Sequence, residues 1–276
     1  MASADDPVTH YEQVTRAWQY LLGEDFHYGY FREKDEPLDV ATNNLTLLMA
    51  EKGALGPGIA VLDVGCGIGN PACFLAERYA CHVTGISTSR VGIALAQRRA
   101  EERGCADRVS FAIGDGMDNG LPDASFDRVW VLEASHLMPR KQALLEECAR
   151  VLRRGGSLVL CDIILRRDLP NAEIIRRSRE FLHLHYAFGH AKLEALDTYR
   201  RLAESAGLEV RETLDVSDAV FPTLAHWRRK LEENTEEVRA LIGDEGVDHF
   251  RASCEILLTL WEQRFFGYGL VAAAKT

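Results

Sequence analysis

Several things are scarce in this chain of 276 residues. Its seven cysteines, Cys66, Cys73, Cys81, Cys105, Cys148, Cys161 and Cys254, are scattered, odd in number and never spaced as CxxC. That spacing argues against both a disulfide framework and a zinc cluster, so the expectation is reduced thiols, a cytoplasmic location and no metal site. No apolar run approaches the roughly 18–20 residues of a membrane span, and the expectation is no membrane partner. Met1 to Pro7 carries Asp5 and Asp6 and lacks the apolar stretch of a secretory signal. Basic charge is also short: 32 Lys and Arg face 42 Asp and Glu, a net charge of −10. Such a surface repels phosphate backbones, which argues against a nucleic-acid partner. Repeats and low-complexity tracts are missing as well.

What is present suits a globular fold. Hydrophobic residues make up 47% and charged residues 27%, close to the soluble average, and the length suffices for a large core. Thr9 to Gly53 is helical in pattern, interrupted by Phe26-His27-Tyr28-Gly29-Tyr30-Phe31. From Ile59 the pattern changes to short apolar runs alternating with helical segments. Strands are expected at Ile59–Val64, His82–Ile86, Val109–Ile113, Phe126–Leu132 and Ser157–Asp162. Helices are expected at Pro71–Tyr79, Ser89–Arg103 and Arg140–Leu152, the last stopping at Gly155-Gly156. This alternation predicts a parallel sheet with helices on both faces. Further on, Asn171–His185 and Lys192–Ala206 read as helices, and Leu208–Val216 and Gly267–Ala274 as strands. Thr223–Phe265 reads as a helical insertion between those two strands.

Leu62-Asp63-Val64-Gly65-Cys66-Gly67-Ile68-Gly69-Asn70 stands where a strand hands over to a helix. Glycines there let a ligand approach the backbone, and the helix N-terminus offers free N–H groups. A dinucleotide turn, G-x-G-x-x-G, would need glycine where Asn70 stands, and a P-loop would need Gly-Lys-Ser/Thr. A third reading is a turn for a cationic nucleoside, with Asp63 as the nearby carboxylate. A tight structural turn is the fourth.

Val61 to Gly69 resembles motif I of the class I S-adenosylmethionine (SAM)-dependent methyltransferases. Further segments extend the resemblance: Asp115-Gly116-Met117 after the third strand, Phe126-Asp127 opening the fourth, and Leu152-Arg153-Arg154-Gly155-Gly156, which resembles the L-x-P-G-G turn with Arg154 in place of proline. Phe26 to Phe31 and Val83-Thr84-Gly85-Ile86-Ser87 are similar to segments of tocopherol-type and antibiotic-tailoring small-molecule methyltransferases. Glu133-Ala134-Ser135-His136-Leu137-Met138 resembles E-S-x-H-H-M of the rebeccamycin-type sugar O-methyltransferases, with Leu137 replacing the second histidine. Two further departures concern the ribose contact. Neutral Ser87 stands where most class I enzymes carry an acid, and Gly92 where a glutamine is common.

The resemblance implies a Rossmann-like α/β fold with a seven-stranded mixed sheet. It implies an N-terminal helical cap over residues 1–54 and a SAM-binding core over 55–276, with lid segments at about 166–192 and 218–265. The cofactor would be SAM, held by Asp63, Gly65, Gly67, Gly69, Ser87, Asp115, Gly116, Met117 and Glu133, with Tyr11, Tyr28 and Tyr30 closing over it. The same aromatics could instead glue the cap together. Methyl transfer to a hydroxyl needs a base. His136, with an ordinary pKa of about 6.5, suits that role, and Asp162 could orient it or act itself. Each also has a plain reading, His136 as a hydrogen-bonded loop residue and Asp162 as a cap or turn carboxylate. The implied activity is O-methylation of a small natural-product acceptor. N- or C-methylation and non-catalytic SAM binding are the alternatives, and a homo-oligomer is compatible with either.

Overall fold

The computed structural model describes residues 7–33 and 35–276, and side chains from residue 14 onward within them. Two compact units form. One comprises the described residues up to Leu45, with Ile163–Ala195 and Val216–Tyr268; the other comprises Thr46–Asp162, Leu196–Asp215 and Gly269–Thr276.

The chain runs α1 (Pro7–Leu21), α2 (Leu38–Lys52), β1 (Ala60–Val64), α3 (Asn70–Tyr79), β2 (His82–Ser87), α4 (Arg90–Glu102), β3 (Val109–Ile113) and β4 (Phe126–Leu132). A single 3₁₀ turn, Ser135–Leu137, follows, then α5 (Lys141–Val151) and β5 (Leu152–Leu165). After these come α6 (Asn171–Arg176), α7 (Ser178–Phe188), α8 (Leu196–Ser205), β6 (Glu209–Asp215), α9 (Ser217–Val220), α10 (Thr223–Glu233), α11 (Thr235–Glu262) and β7 (Phe266–Ala274).

The strands form one seven-stranded sheet in the order β3-β2-β1-β4-β5-β7-β6. β3, β2, β1, β4 and β5 pair in parallel, and β6 pairs antiparallel to β7, so the sheet is mixed, as expected. At the centre of the sheet both faces are covered: Val61, Leu62, Val129, Trp130, Leu158 and Val159, on β1, β4 and β5, are all buried. The chain works outward from β1 to β3, then returns to β4 on the other side of β1. That reversal makes a switch point between β1 and β4, where Asp63 lies in register with Trp130. Open α/β sheets bind ligands at the carboxyl ends of strands flanking such a point.

Local chemistry sets the helix starts. α3 follows Gly69, whose φ of 78° is left-handed, and carries Pro71 in its first turn, where no N–H is needed. α4 is capped by Ser89 Oγ, which accepts from the Gly92 N–H at 3.0 Å.

Four segments differ from the sequence expectation. β5 starts at Leu152, directly after α5, rather than beyond the glycine pair. Register jumps from Phe126↔Leu152 to Arg128↔Ser157, so residues 153–156 bulge out of the ladder. The helix expected from Lys192 starts at Leu196, because Leu165 N–H bonds Glu194 O and Leu165 bridges Ala195. The stretch 171–185 is two helices, and α11 breaks at Gly243 (φ 73°, ψ 177°).

In the first unit, the Tyr28 ring lies 4.6 Å from Trp227 and 5.3 Å from both Trp261 and Tyr268, centroid to centroid. The irregular stretch around it is held by Gly29 N–H donating to Thr223 Oγ1 at 3.0 Å.

Candidate active site

The second unit contains both the glycine turn and the loop after β4. At the turn, Gly65, Gly67 and Gly69 have φ of 81°, 54° and 78°, a region that favours glycine. Two of them are also demanded by packing. A Cβ on Gly65 would come 2.2 Å from Ala134 Cβ, and one on Gly69 would come 2.7 Å from Ala96 Cβ and 2.8 Å from Phe111 Cζ. Gly116 is similar, its Cβ falling 2.6 Å from Val64 Cγ1. The structural reading of this turn therefore holds for Gly65 and Gly69, independently of any ligand.

Asp63 is buried at the end of β1, an anion beside the turn. Burial first, and then the Asp63 charge, push the Cys66 thiol well above its ordinary range. Asp115 is half-buried, and its Oδ1 accepts from the Met117 N–H at 2.8 Å. Ser87 Oγ accepts from the Ser89 N–H at 3.2 Å. Gly92 stands where a side-chain Cβ would lie 3.0 Å from Gly67 O, so α4 packs close behind the turn. These groups collect at the carboxyl ends of β1, β2 and β3. A buried carboxylate beside a turn with glycine at every second position fits a cationic, phosphate-free nucleoside such as SAM.

Tyr30 is half-buried, with its N–H donating to Ala41 O at 2.8 Å. Tyr28 stands among aromatic rings of the first unit, and the Tyr11 side chain lies outside the described residues.

The loop after β4 carries the denser chemistry. Glu133 takes a left-handed φ of 46°, costly for a residue with a Cβ, about 1–3 kcal/mol, and its N–H donates to Cys161 O at 2.9 Å. The chain then tightens into the 3₁₀ turn that presents His136. Asp162 was expected to end β5; the strand instead continues to Leu165, which makes Asp162 a fully buried residue within the ladder, neither cap nor turn. Its Oδ1 lies 2.8 Å from His136 Nδ1, and its Oδ2 accepts from the His136 backbone N–H at 2.9 Å and from Ser135 Oγ at 2.5 Å.

A carboxylate can only accept, so in the neutral imidazole the proton sits on Nδ1 and Nε2 keeps its lone pair. The His136 side chain is 12% exposed. Burial lowers its pKa, but the Asp162 charge and hydrogen bond, and then the Glu133 charge, outweigh this and leave it raised. For Asp162 burial acts upward, and His136 and the hydrogen bonds that Asp162 accepts overcome it, leaving the carboxyl lowered. The pair is thus a carboxylate-oriented imidazole, a base with a fixed tautomer.

Sequence reasoning missed three contributors. Ser135 bonds Asp162 as above. Tyr199, on α8 and 1% exposed, places its Oη 2.7 Å from Ser135 Oγ. Lys141, only 4% exposed, donates to Ser135 O at 2.6 Å and Met138 O at 2.7 Å. A lysine opening a helix and a tyrosine on an amphipathic helix carry no sequence signal of such roles. In the first unit, His183 Nδ1 lies 2.9 Å from His249 Nδ1, a pairing that no local spacing announces.

With this geometry in place, comparison with known proteins is decisive. The family model for mycolic acid cyclopropane synthetase matches residues 2–263. The chain belongs to this family. It is a class I SAM-dependent methyltransferase, and SAM is its cofactor. Among relatives of this family, methyltransferase GfsG of Streptomyces halstedii is 33% identical, with 96% of this chain and 92% of GfsG covered. The 27-O-demethylrifamycin SV methyltransferase of Amycolatopsis mediterranei is 34% identical, covering 96% of this chain and 95% of its own length. Among solved structures, the 4+2 cyclase SpnF superposes with a TM-score of 0.85 at 25% identity, covering 99% of this chain and 97% of its own. The cyclopropane synthase MmaA2 of Mycobacterium tuberculosis reaches 0.87 at 18% identity over 99% and 98%, which is a likeness of fold.

Proposed function

We propose that this methyltransferase acts on a hydroxyl of a small natural product, with His136 as the general base and Asp162 as the group that orients it. The observation that carries the reading is the 2.8 Å contact of His136 Nδ1 with Asp162, which leaves Nε2 to accept a proton. SAM, when bound, supplies a methyl group already activated by its sulfonium charge. The chain's own work is to hold the acceptor in line and relieve it of a proton. Alignment alone is worth several kcal/mol, and the base adds about 10²–10⁴-fold. An amine acceptor would need no such base, which is why the fixed tautomer of His136 favours oxygen.

The cofactor contacts belong to the same proposal. Asp63 faces the cationic amino-acid end, with Gly65, Gly67 and Gly69 forming the turn beside it. Ser87 takes the ribose, and Asp115 accepts from the adenine amino group with Gly116 and Met117 beside the ring. Glu133 completes the set. The seven cysteines, all buried and none in a disulfide, suit a cytoplasmic location.

The test is turnover. Purified protein is given SAM and hydroxylated natural products, beginning with 27-O-demethylrifamycin SV, and methylated product and S-adenosylhomocysteine are measured. His136→Ala is expected to lower turnover by about 10²–10⁴-fold with SAM affinity retained. The wild-type rate should fall on the acid side with a midpoint above the ordinary imidazole value, since His136 must be neutral to act. Identical pH profiles in wild type and His136→Ala would remove His136 from the mechanism.

A further inference from the structure

The hydrogen bonds behind Asp162 have a direction that the distances alone determine. Ser135 has one hydroxyl proton. It lies 2.5 Å from Asp162 Oδ2, an oxygen that can only accept, so the proton is committed there. Ser135 Oγ is also 2.7 Å from Tyr199 Oη, and with its own proton spent it can only accept from the phenol. The order is therefore Tyr199 O–H to Ser135 O–H to Asp162, with His136 Nδ1–H meeting the same carboxylate from the other side. Ser135, Asp162 and Tyr199 are all buried, so water does not compete at these bonds.

We propose that Tyr199 is a positioning residue of this reaction, acting on His136 through Ser135 and Asp162. The inference rests on the reading of His136 as the base. Each donor that Asp162 accepts draws off part of its negative charge. A serine hydroxyl polarised by a phenol behind it draws off more, because hydrogen bonds in series strengthen one another. Tyr199 thereby moderates the pull of Asp162 on the imidazole and keeps Nε2 available at lower pH. Glu133 adds to the pull on His136, and the Lys141 ammonium opposes it. A tyrosine present only to fill space on α8 would do none of this, since a phenylalanine packs the same volume.

The readout is the titration midpoint of the His136 ring, followed by nuclear magnetic resonance in the full-length protein without acceptor. The His136 signal is the one missing from His136→Gln. Removing the Tyr199 hydroxyl in Tyr199→Phe should move this midpoint upward by about half a pH unit, and Ser135→Ala by about one. Ser135→Thr, which keeps the hydroxyl, should hold the wild-type value. Adding Tyr199→Phe to Ser135→Ala should shift nothing further, because the route is already cut. In turnover, Tyr199→Phe should lose about threefold in kcat/KM on the acid side and keep its alkaline plateau, the counterpart of a half-unit shift.

An unmoved or lowered midpoint in Tyr199→Phe overturns the proposal, whatever happens to stability. Should Tyr199→Phe not fold, an unmoved midpoint in Ser135→Ala overturns it equally. If His136→Gln keeps full turnover, the base reading fails and the positioning role fails with it. If His136→Gln is inactive and the Tyr199→Phe midpoint is unmoved, only the positioning role is lost.

Discussion

Gly65 and Ala134 are pressed together where the turn after β1 meets the loop after β4: a Cβ on Gly65 would lie 2.2 Å from that of Ala134. The contact ties the glycine turn to the segment that carries His136. Gly65→Ala combines this overlap with a left-handed backbone, together costing about 2–4 kcal/mol in urea denaturation. Ala134→Gly in the same chain should recover the packing part and leave the backbone part. Full stability in Gly65→Ala alone would contradict the contact.

The His136–Asp162 pair also predicts how stability follows pH. His136 has a raised pKa in the fold, so its contribution is complete below its unfolded value near 6.5 and is lost as pH climbs through the raised one. Asp162 is lowered, so its contribution is present above about 3.9 and lost as pH falls through the depressed value. The two together are strongest between about pH 4 and 6.5. The stability difference between wild type and Asp162→Asn should be greater at pH 5.5 than at 8.5. An equal difference at both values would show that the pair does not titrate in this way.

Cofactor affinity tests the glycine turn and Asp115 separately. Asp115→Ala should weaken SAM binding by about 10- to 100-fold in calorimetry, the range for one lost hydrogen bond to a charged group. Gly67→Val should abolish it by placing a side chain in the turn. A folded Gly67→Val protein with unchanged affinity would move the site elsewhere.

Lys141 spans Ser135 O and Met138 O from beneath the 3₁₀ turn. Lys141→Met leaves these buried carbonyls without that donor and should cost about 1–3 kcal/mol. Because the turn carries His136, turnover should fall more than SAM affinity. Equal losses in both would mean that Lys141 supports the unit generally.

The thiols are expected to be inert in the folded chain. All seven are buried, and burial holds Cys81 up at about 11 and Cys148 and Cys254 at about 12. A thiol reagent at pH 8 should label seven groups in urea and almost none in buffer. Rapid labelling of the native protein would place at least one thiol near solvent.

Sequence pattern found the strands of the parallel sheet to within a residue or two, except the start and end of β5, because β1 to β4 are short apolar runs set between glycines and helices. It also found His136 and Asp162, since both belong to recognisable segments. The rest was hidden for physical reasons. The bulge at 153–156 depends on the ladder partner, not on local propensity. Tyr199 reaches Ser135 only after α8 packs in place, and a buried tyrosine hydroxyl reads in sequence as one more apolar-face residue. The need for glycine at Gly65 and Gly69 is also set by Ala134, Ala96 and Phe111, residues no local motif contains.

The sheet order places β7, which follows β6 in the chain, between β5 and β6. β6 lies at the edge and has β7 as its neighbour in the sheet, so Glu209–Asp215 leaves the ribosome before its partner exists. Lys275, just past β7, is bonded on the β5 side instead. Its backbone exchanges bonds with Gly155 and Gly156, and its ammonium donates to Ala149 O and Leu152 O at the end of α5. Synthesis therefore yields β1 to β5 first, and β6 waits without a neighbour until β7 follows it.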